Sequence, residues 1–166
     1  MSLTRYVTSL AEVRSILGVS SDEIEDGDID TVVYRFQLEE SLRALDSTII
    51  STYETVCAID LGDRTAVQRR FHDAVRTYST FHVASSLLTG LPNSAPKTIT
   101  DEKSMVQRQA GALYDTVRVS VRKALGTAEA SLLDAIVGLT GAAVTEFSPF
   151  LGVQVSTPTS DPVTGT

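Results

Sequence analysis

Residues 64–88 read RTAVQRRFHDAVRTYSTFHVASSLL, the most regular helical pattern in the chain. Apolar or small residues recur there at alternating steps of four and three, namely Val67, Phe71, Ala74, Tyr78, Phe81, Ser85 and Leu88. A stripe of this period is typical of a helix that packs lengthwise against other helices. The stretch therefore predicts a helix from Arg64 to Leu88 at the centre of an all-α fold.

Two helices are predicted before this one. Ser9 can cap a short helix from Leu10 to Leu17, and Gly18 can stop it. Apolar residues at three- and four-residue steps then predict one long helix from Ile29 to Ala58. The acidic segment 22–30 departs from the ligand spacing of a calcium-binding loop. It favours a solvated turn whose last acids lie at the N-terminus of the long helix.

Two more helices are predicted after it. A stiff loop with two prolines, residues 90–100, separates the central helix from a fourth helix that starts at Thr100 or Asp101 and ends near Leu125. Thr127 can cap a fifth segment, from Ala128 to about Thr145. The predicted architecture is an elongated antiparallel bundle of four to five helices, formed by residues 1–146.

Residues 147–166 differ in composition from the rest of the chain. They contain three prolines and one charged residue, which predicts an extended C-terminal arm and not another helix. Its apolar residues exceed what a solvated linker needs, so we expect the arm to dock on another chain. The candidate partner-binding residues are Phe147, Pro149, Phe150, Leu151, Val153 and Val155.

Composition excludes several classes of protein. The chain has 166 residues, a formal net charge of −7 and 42% hydrophobic residues, which fits one globular domain and argues against tight binding to nucleic acid. Cys57 is the only cysteine, so no intrachain disulfide can form. The longest apolar stretch, residues 132–144, is interrupted by Asp134 and two glycines, so no membrane span is expected.

No recognisable catalytic or metal-binding motif is present. His72 and His82 are ten residues apart on one predicted helix, about 15 Å along its axis, so they cannot hold one metal together. Cys57 could act as a nucleophile only if a histidine folded against it, and its apolar neighbours favour a core position. The sequence thus predicts no enzyme activity and no cofactor. It predicts a function in binding other protein chains.

Two stretches resemble a known family. Residues 81–92, FHVASSLLTGLP, followed by residues 95–103, APKTITDEK, resemble the helix–loop–helix of head-to-tail adaptor proteins of tailed bacteriophages. The opening of the chain is also similar to the start of such proteins, with Thr4-Arg5-Tyr6, then Leu10-Ala11-Glu12-Val13-Arg14 and Leu17-Gly18-Val19. The resemblance implies a small helical subunit of the virion neck, assembled in the host cytoplasm.

The resemblance also implies partners. Adaptors of this family form a ring, usually of twelve copies, below the portal protein, where they extend the DNA channel and dock tail or neck proteins. DNA would pass through the lumen without specific binding. The C-terminal arm would reach the portal, and loop residues Pro92, Pro96 and Lys97 are further candidate contacts. The alternatives are another helical assembly subunit or a regulatory bundle that binds a peptide, neither of them an enzyme.

Overall fold

The computed structural model describes residues 2–94, 99–101, 104–106 and 110–141, with side chains described for residues 2–89 and 115–141. This part of the chain is all-α apart from one short hairpin. A 3-10 turn precedes six helices, which are α1 (Leu10–Leu17), α2 (Asp26–Ile29), α3 (Val32–Leu45), α4 (Ile49–Cys57), α5 (Ala66–Ser94) and α6 (Ala110–Thr140). The hairpin pairs β1 (Ile99–Asp101) with β2 (Ser104–Val106) in antiparallel fashion.

Helix α1 confirms the sequence prediction at both ends. The Ser9 hydroxyl accepts a hydrogen bond from the Glu12 backbone N–H at 3.0 Å, which satisfies one of the free donors in the first turn. Gly18 adopts a left-handed conformation with φ 69°, which favours glycine, and its N–H returns to the last turn of the helix.

The single long helix predicted over 29–58 is wrong, because α2 ends at Ile29 and two separate helices, α3 and α4, occupy the rest of this range. At the first break, Thr31 caps α3 by accepting from the Tyr34 N–H. At the second, Asp46 adopts an extended conformation, and its carboxylate accepts from the Thr48 N–H at 2.6 Å and the Thr48 hydroxyl at 2.7 Å. This local bonding competes with the helical pattern and ends α3.

The loop predicted over 90–100 is also corrected. Helix α5 continues through Gly90 and Pro92 to Ser94, and strand β1 takes the place where the fourth helix was expected to begin. The low helix propensities of Gly90 and Pro92 therefore do not end α5. The next helix, α6, starts at Ala110.

The predicted break at Gly126 and Thr127 does not occur, because α6 is one continuous helix. The Thr127 hydroxyl donates to the Lys123 carbonyl one turn earlier, at 3.2 Å, and caps nothing. A glycine inside a helix costs about 1 kcal/mol. Burial of Val121, Ala128 and Leu132 on the side of α6 that faces α5 offsets that cost.

Helix α5 lies at the centre of the described residues, and α1, α3, α4 and α6 all pack against it. Helices α5 and α6 run antiparallel: Val67 lies 3.9 Å from the position of a Cβ at Gly138, and Arg70 pairs with Asp134. The largest completely buried side chains come from the N-terminal segment and from α2, α3, α4, α5 and α6, namely Leu3, Tyr6, Ile29, Leu38, Leu42, Ile49, Tyr53, Phe71 and Leu132.

The predicted stripe on α5 is only partly buried. Val67 is 41% exposed and Phe81 is half-buried, whereas Phe71 and Tyr78 are buried as expected. Val75 and Val83, outside the predicted stripe, are completely buried. Several helices cover α5 from different sides, so its apolar surface is broader than a single seam. Every helix in the described ranges is too short or too polar to cross a bilayer.

Candidate functional site

The predicted partner-binding residues lie mainly outside the described residues. This applies to Phe147, Pro149, Phe150, Leu151, Val153 and Val155 of the arm, and to Pro96 and Lys97 of the loop. Pro92 belongs to α5 and not to a loop, which corrects its predicted setting. The arm as a partner-binding segment therefore stays a prediction.

The two histidines have separate surroundings. The His72 ring stacks on Tyr53 with centroids 5.5 Å apart, and its Nδ1 lies 3.0 Å from an Asp73 carboxylate oxygen. His82 lies beside Tyr78 with ring centroids 5.8 Å apart, and burial lowers the pKa of His82 below its ordinary value. The described residues contain no group of three or more His, Cys, Asp or Glu that could hold a metal.

Tyr53 of α4 contacts both the N-terminal segment and α5. Its ring stacks on Tyr6 at 5.8 Å, and its hydroxyl donates to the Arg5 carbonyl at 3.0 Å. Burial, and then the neighbouring Cys57 thiol, raises the pKa of the Tyr53 hydroxyl well above its ordinary value. A buried phenol that stays neutral and donates to a backbone carbonyl serves the fold, so this cluster offers no acid–base pair for catalysis.

Helix α3 exposes an apolar surface that we call the α3 face, formed by Val32, Val33 and Phe36. Their side chains are 68%, 61% and 62% exposed. They lie on the opposite side of α3 from the buried Leu38 and Leu42. Exposed single apolar residues are common on proteins, but three neighbours on one helical face make this a candidate interaction surface.

Helix α6 exposes a basic surface that we call the α6 face, formed by Arg118, Val119, Arg122 and Lys123. All four side chains are exposed, and Val119 is 67% exposed. Asp115, also exposed, lies three residues before Arg118 and offsets part of this charge, but no acidic residue occurs between positions 116 and 128. The face combines one exposed apolar residue, Val119, with an excess of positive charge.

A groove of about 600 Å³ runs between α5 and α6. Ala74, Phe81, Ala124 and Ala128 give it an apolar floor, and Lys123 lies at its rim. Small residues on both helices leave the groove open, since alanine side chains do not fill the space between the two backbones. The groove therefore adjoins the α6 face through Lys123.

The α3 face was missed from the sequence, although its signal is visible there. The stripe predicted to be buried in this region, Tyr34, Leu38, Leu42 and Leu45, is buried or half-buried. Val32 and Val33 precede this stripe and Phe36 falls between two of its members, so all three were left unassigned. On a helix, apolar residues at positions i, i+1 and i+4 opposite a buried stripe form a second apolar face. No family model, curated protein or solved structure matches the chain, so the site rests on this geometry alone.

Proposed function

We propose that this protein is a head-to-tail adaptor of a tailed bacteriophage, a structural subunit that forms a ring below the portal. The observation that carries the proposal is the α3 face, whose three apolar side chains are exposed in the described part of the chain. A chain that assembles with other chains needs such a surface, because apolar area removed from water is the main source of association free energy. The resemblance of residues 81–92 and 95–103 to adaptor proteins supports the particular family.

The polar groups of the described residues support a non-enzymatic role. A catalytic site brings several polar groups together in a pocket. The groove between α5 and α6 is instead lined mainly by apolar or small side chains, and the histidines lie apart in separate clusters. The acidic balance of the chain, with a formal net charge of −7, suits a subunit beside a DNA channel, since like charge keeps DNA from adhering.

The proposal is tested by mixing the purified chain with the portal protein encoded in the same genome. We expect ring-shaped complexes that place several copies below the portal ring, seen by electron microscopy and weighed by native mass spectrometry. A chain that never joins the portal ring, at any stoichiometry, contradicts the adaptor function.

The same mixture tests the C-terminal arm. In the described part of the chain, the buried core residues lie between Leu3 and Ala135, so deleting residues 147–166 removes none of these. We expect the shortened chain to keep its helical content and melting temperature while losing stable attachment to the portal. Attachment equal to that of the full chain would show that the arm has no part in docking.

A regulatory bundle that binds a peptide is the second candidate, and the groove between α5 and α6 favours it. Its volume of about 600 Å³ and its apolar floor suit a few side chains of a helical peptide. The two candidates differ in stoichiometry. A peptide-binding bundle stays a single subunit with one ligand, whereas an adaptor assembles into rings.

A further inference from the structure

We propose that the α3 face of one copy packs on the α6 face of a second copy, so that the chains associate head to tail. The inference rests on the proposed function and names the surfaces that would build the ring. The two faces belong to different helices, and each lies on the side of its helix turned away from the core. Each face has exposed apolar surface, and the charged residues beside the two faces have opposite signs.

The charge beside the α3 face is negative. Residues 22–30 contain six acidic residues and no Lys or Arg, and they lead directly into α3. Asp28 lines the same surface groove as Val33, which places this acidic segment next to the face. Within the segment, Asp26 pairs with Arg14, and Asp28 and Asp30 accept hydrogen bonds from the backbone N–H groups of Glu25 and Leu3. Those backbone donors are neutral, so the segment as a whole keeps a net negative charge.

The charge beside the α6 face is positive. Arg118 and Arg122 are one turn apart on α6, and Lys123 follows directly. None of the three forms an ion pair with another described side chain. Bringing the two faces together would place the acidic segment 22–30 against these cations while Phe36 and Val119 leave water together. Complementary charge of this kind selects the partner and the register of an interface.

The charges also decide the symmetry. A two-fold contact between two α3 faces would bring both acidic segments to one interface, and a two-fold contact between two α6 faces would do the same for the cations. Like charges placed together disfavour both arrangements. The remaining contact joins unlike faces, and a contact between unlike faces repeats until the chains close into a ring or extend into a filament.

The experiment uses two interface variants, Phe36→Ser and Arg122→Glu, each with a matched control. Leu61→Ser changes a side chain that is 70% exposed and lies outside both faces, and Arg69→Glu reverses an exposed charge on α5. Association is measured by native mass spectrometry and analytical ultracentrifugation at low ionic strength. Circular dichroism verifies that all four variants keep the helical content of the wild type.

We expect the wild type and both controls to associate. Each interface variant alone should associate at least about tenfold more weakly than the wild type. The informative sample is the equimolar mixture of Phe36→Ser with Arg122→Glu. Phe36→Ser keeps an intact α6 face and Arg122→Glu keeps an intact α3 face. The mixture should therefore form mixed dimers that grow no further. Raising the salt concentration should dissociate these dimers.

Three results overturn the inference in distinguishable ways. If the wild type forms rings and both interface variants do so equally well, the interface lies elsewhere while the proposed function stands. If a single variant abolishes association and the mixture shows no mixed dimer, the contact is not between unlike faces. A wild-type chain that remains a single subunit, alone and with the portal protein, removes the proposed function and this inference together.

Discussion

Arg76 fastens the N-terminal segment to the middle of α5. Its guanidinium donates to the Val7 carbonyl at 2.9 Å and to the Thr8 carbonyl at 2.7 Å. Thr80, one turn further along α5, accepts from the Thr8 N–H at 3.0 Å. These side chains satisfy backbone groups just before α1 that have no helix or sheet of their own to pair with.

The first prediction concerns this contact. Replacing Arg76 with Met keeps much of the apolar stem but removes both charged hydrogen bonds. We expect the free energy of unfolding to fall by about 1.5–3 kcal/mol, the usual contribution of a hydrogen bond to a charged group. Urea denaturation followed by circular dichroism measures the change. Arg69→Met, at an exposed position of α5, is the control and should stay close to wild type.

The second prediction concerns His82, whose pKa burial lowers in the folded chain. As pH falls through the ordinary histidine value of 6.5, the unfolded chain takes up a proton at this residue before the folded chain does. Stability therefore decreases as pH falls from 6.5 toward the pKa of the folded state, and this loss is absent above that window. The wild type should lose more stability than His82→Gln between about pH 7.5 and about pH 5.

Urea denaturation at the two pH values gives the comparison for His82. The variant carries every other titrating group of the wild type, so the difference between their pH slopes isolates the histidine. Parallel slopes would mean that His82 protonates equally well in the folded and unfolded chains.

At the scale of elements, α5 presents unequal faces to its neighbours. Phe71 is 1% exposed, whereas Phe81 is half-buried and lines the groove between α5 and α6. The third prediction follows from this difference. Phe71→Ala should lower the free energy of unfolding by about 3–5 kcal/mol, because it leaves a cavity in a closed core. Phe81→Ala should lower it clearly less, since the groove already admits water. Equal losses in urea denaturation would show that the groove is closed in solution.

Element boundaries show where sequence reasoning succeeds. The ends of α1 were predicted correctly because both signals are local, a Ser9 hydroxyl that caps and a Gly18 that adopts positive φ. The break after α3 was missed because apolar residues stay in phase across residues 46–48, so periodicity continues where the backbone does not. The bonding of Asp46 to Thr48 that produces the break is itself local, but it has no unique signature in the pattern.

Two boundaries failed for a different reason. Gly126 and the segment around Gly90 and Pro92 are weak points for an isolated helix, yet both lie inside helices. The packing of α5 on α6 opposes this local weakness, and it joins residues that are distant in sequence. Local propensity carries no information about that contact.

At the scale of the whole molecule, the all-α class and the central position of α5 were predictable from periodicity alone. The candidate site was not. The apolar pattern of Val32, Val33 and Phe36 is visible in the sequence, but only the structure shows that the core leaves this side of α3 and the α6 face uncovered. An apolar residue in a helical pattern is expected in the core, and only burial separates Leu38 inside from Phe36 outside.

The Arg76 contact also has a consequence for synthesis on the ribosome. Thr8 and Arg76 are 68 residues apart in the chain. At about 5–20 residues per second, the ribosome needs roughly 3–14 s to make the residues between them. During that time the Val7 and Thr8 carbonyls lack the guanidinium that binds them in the finished protein. The segment before α1 can therefore complete its native contacts only after the first half of α5 has left the exit tunnel.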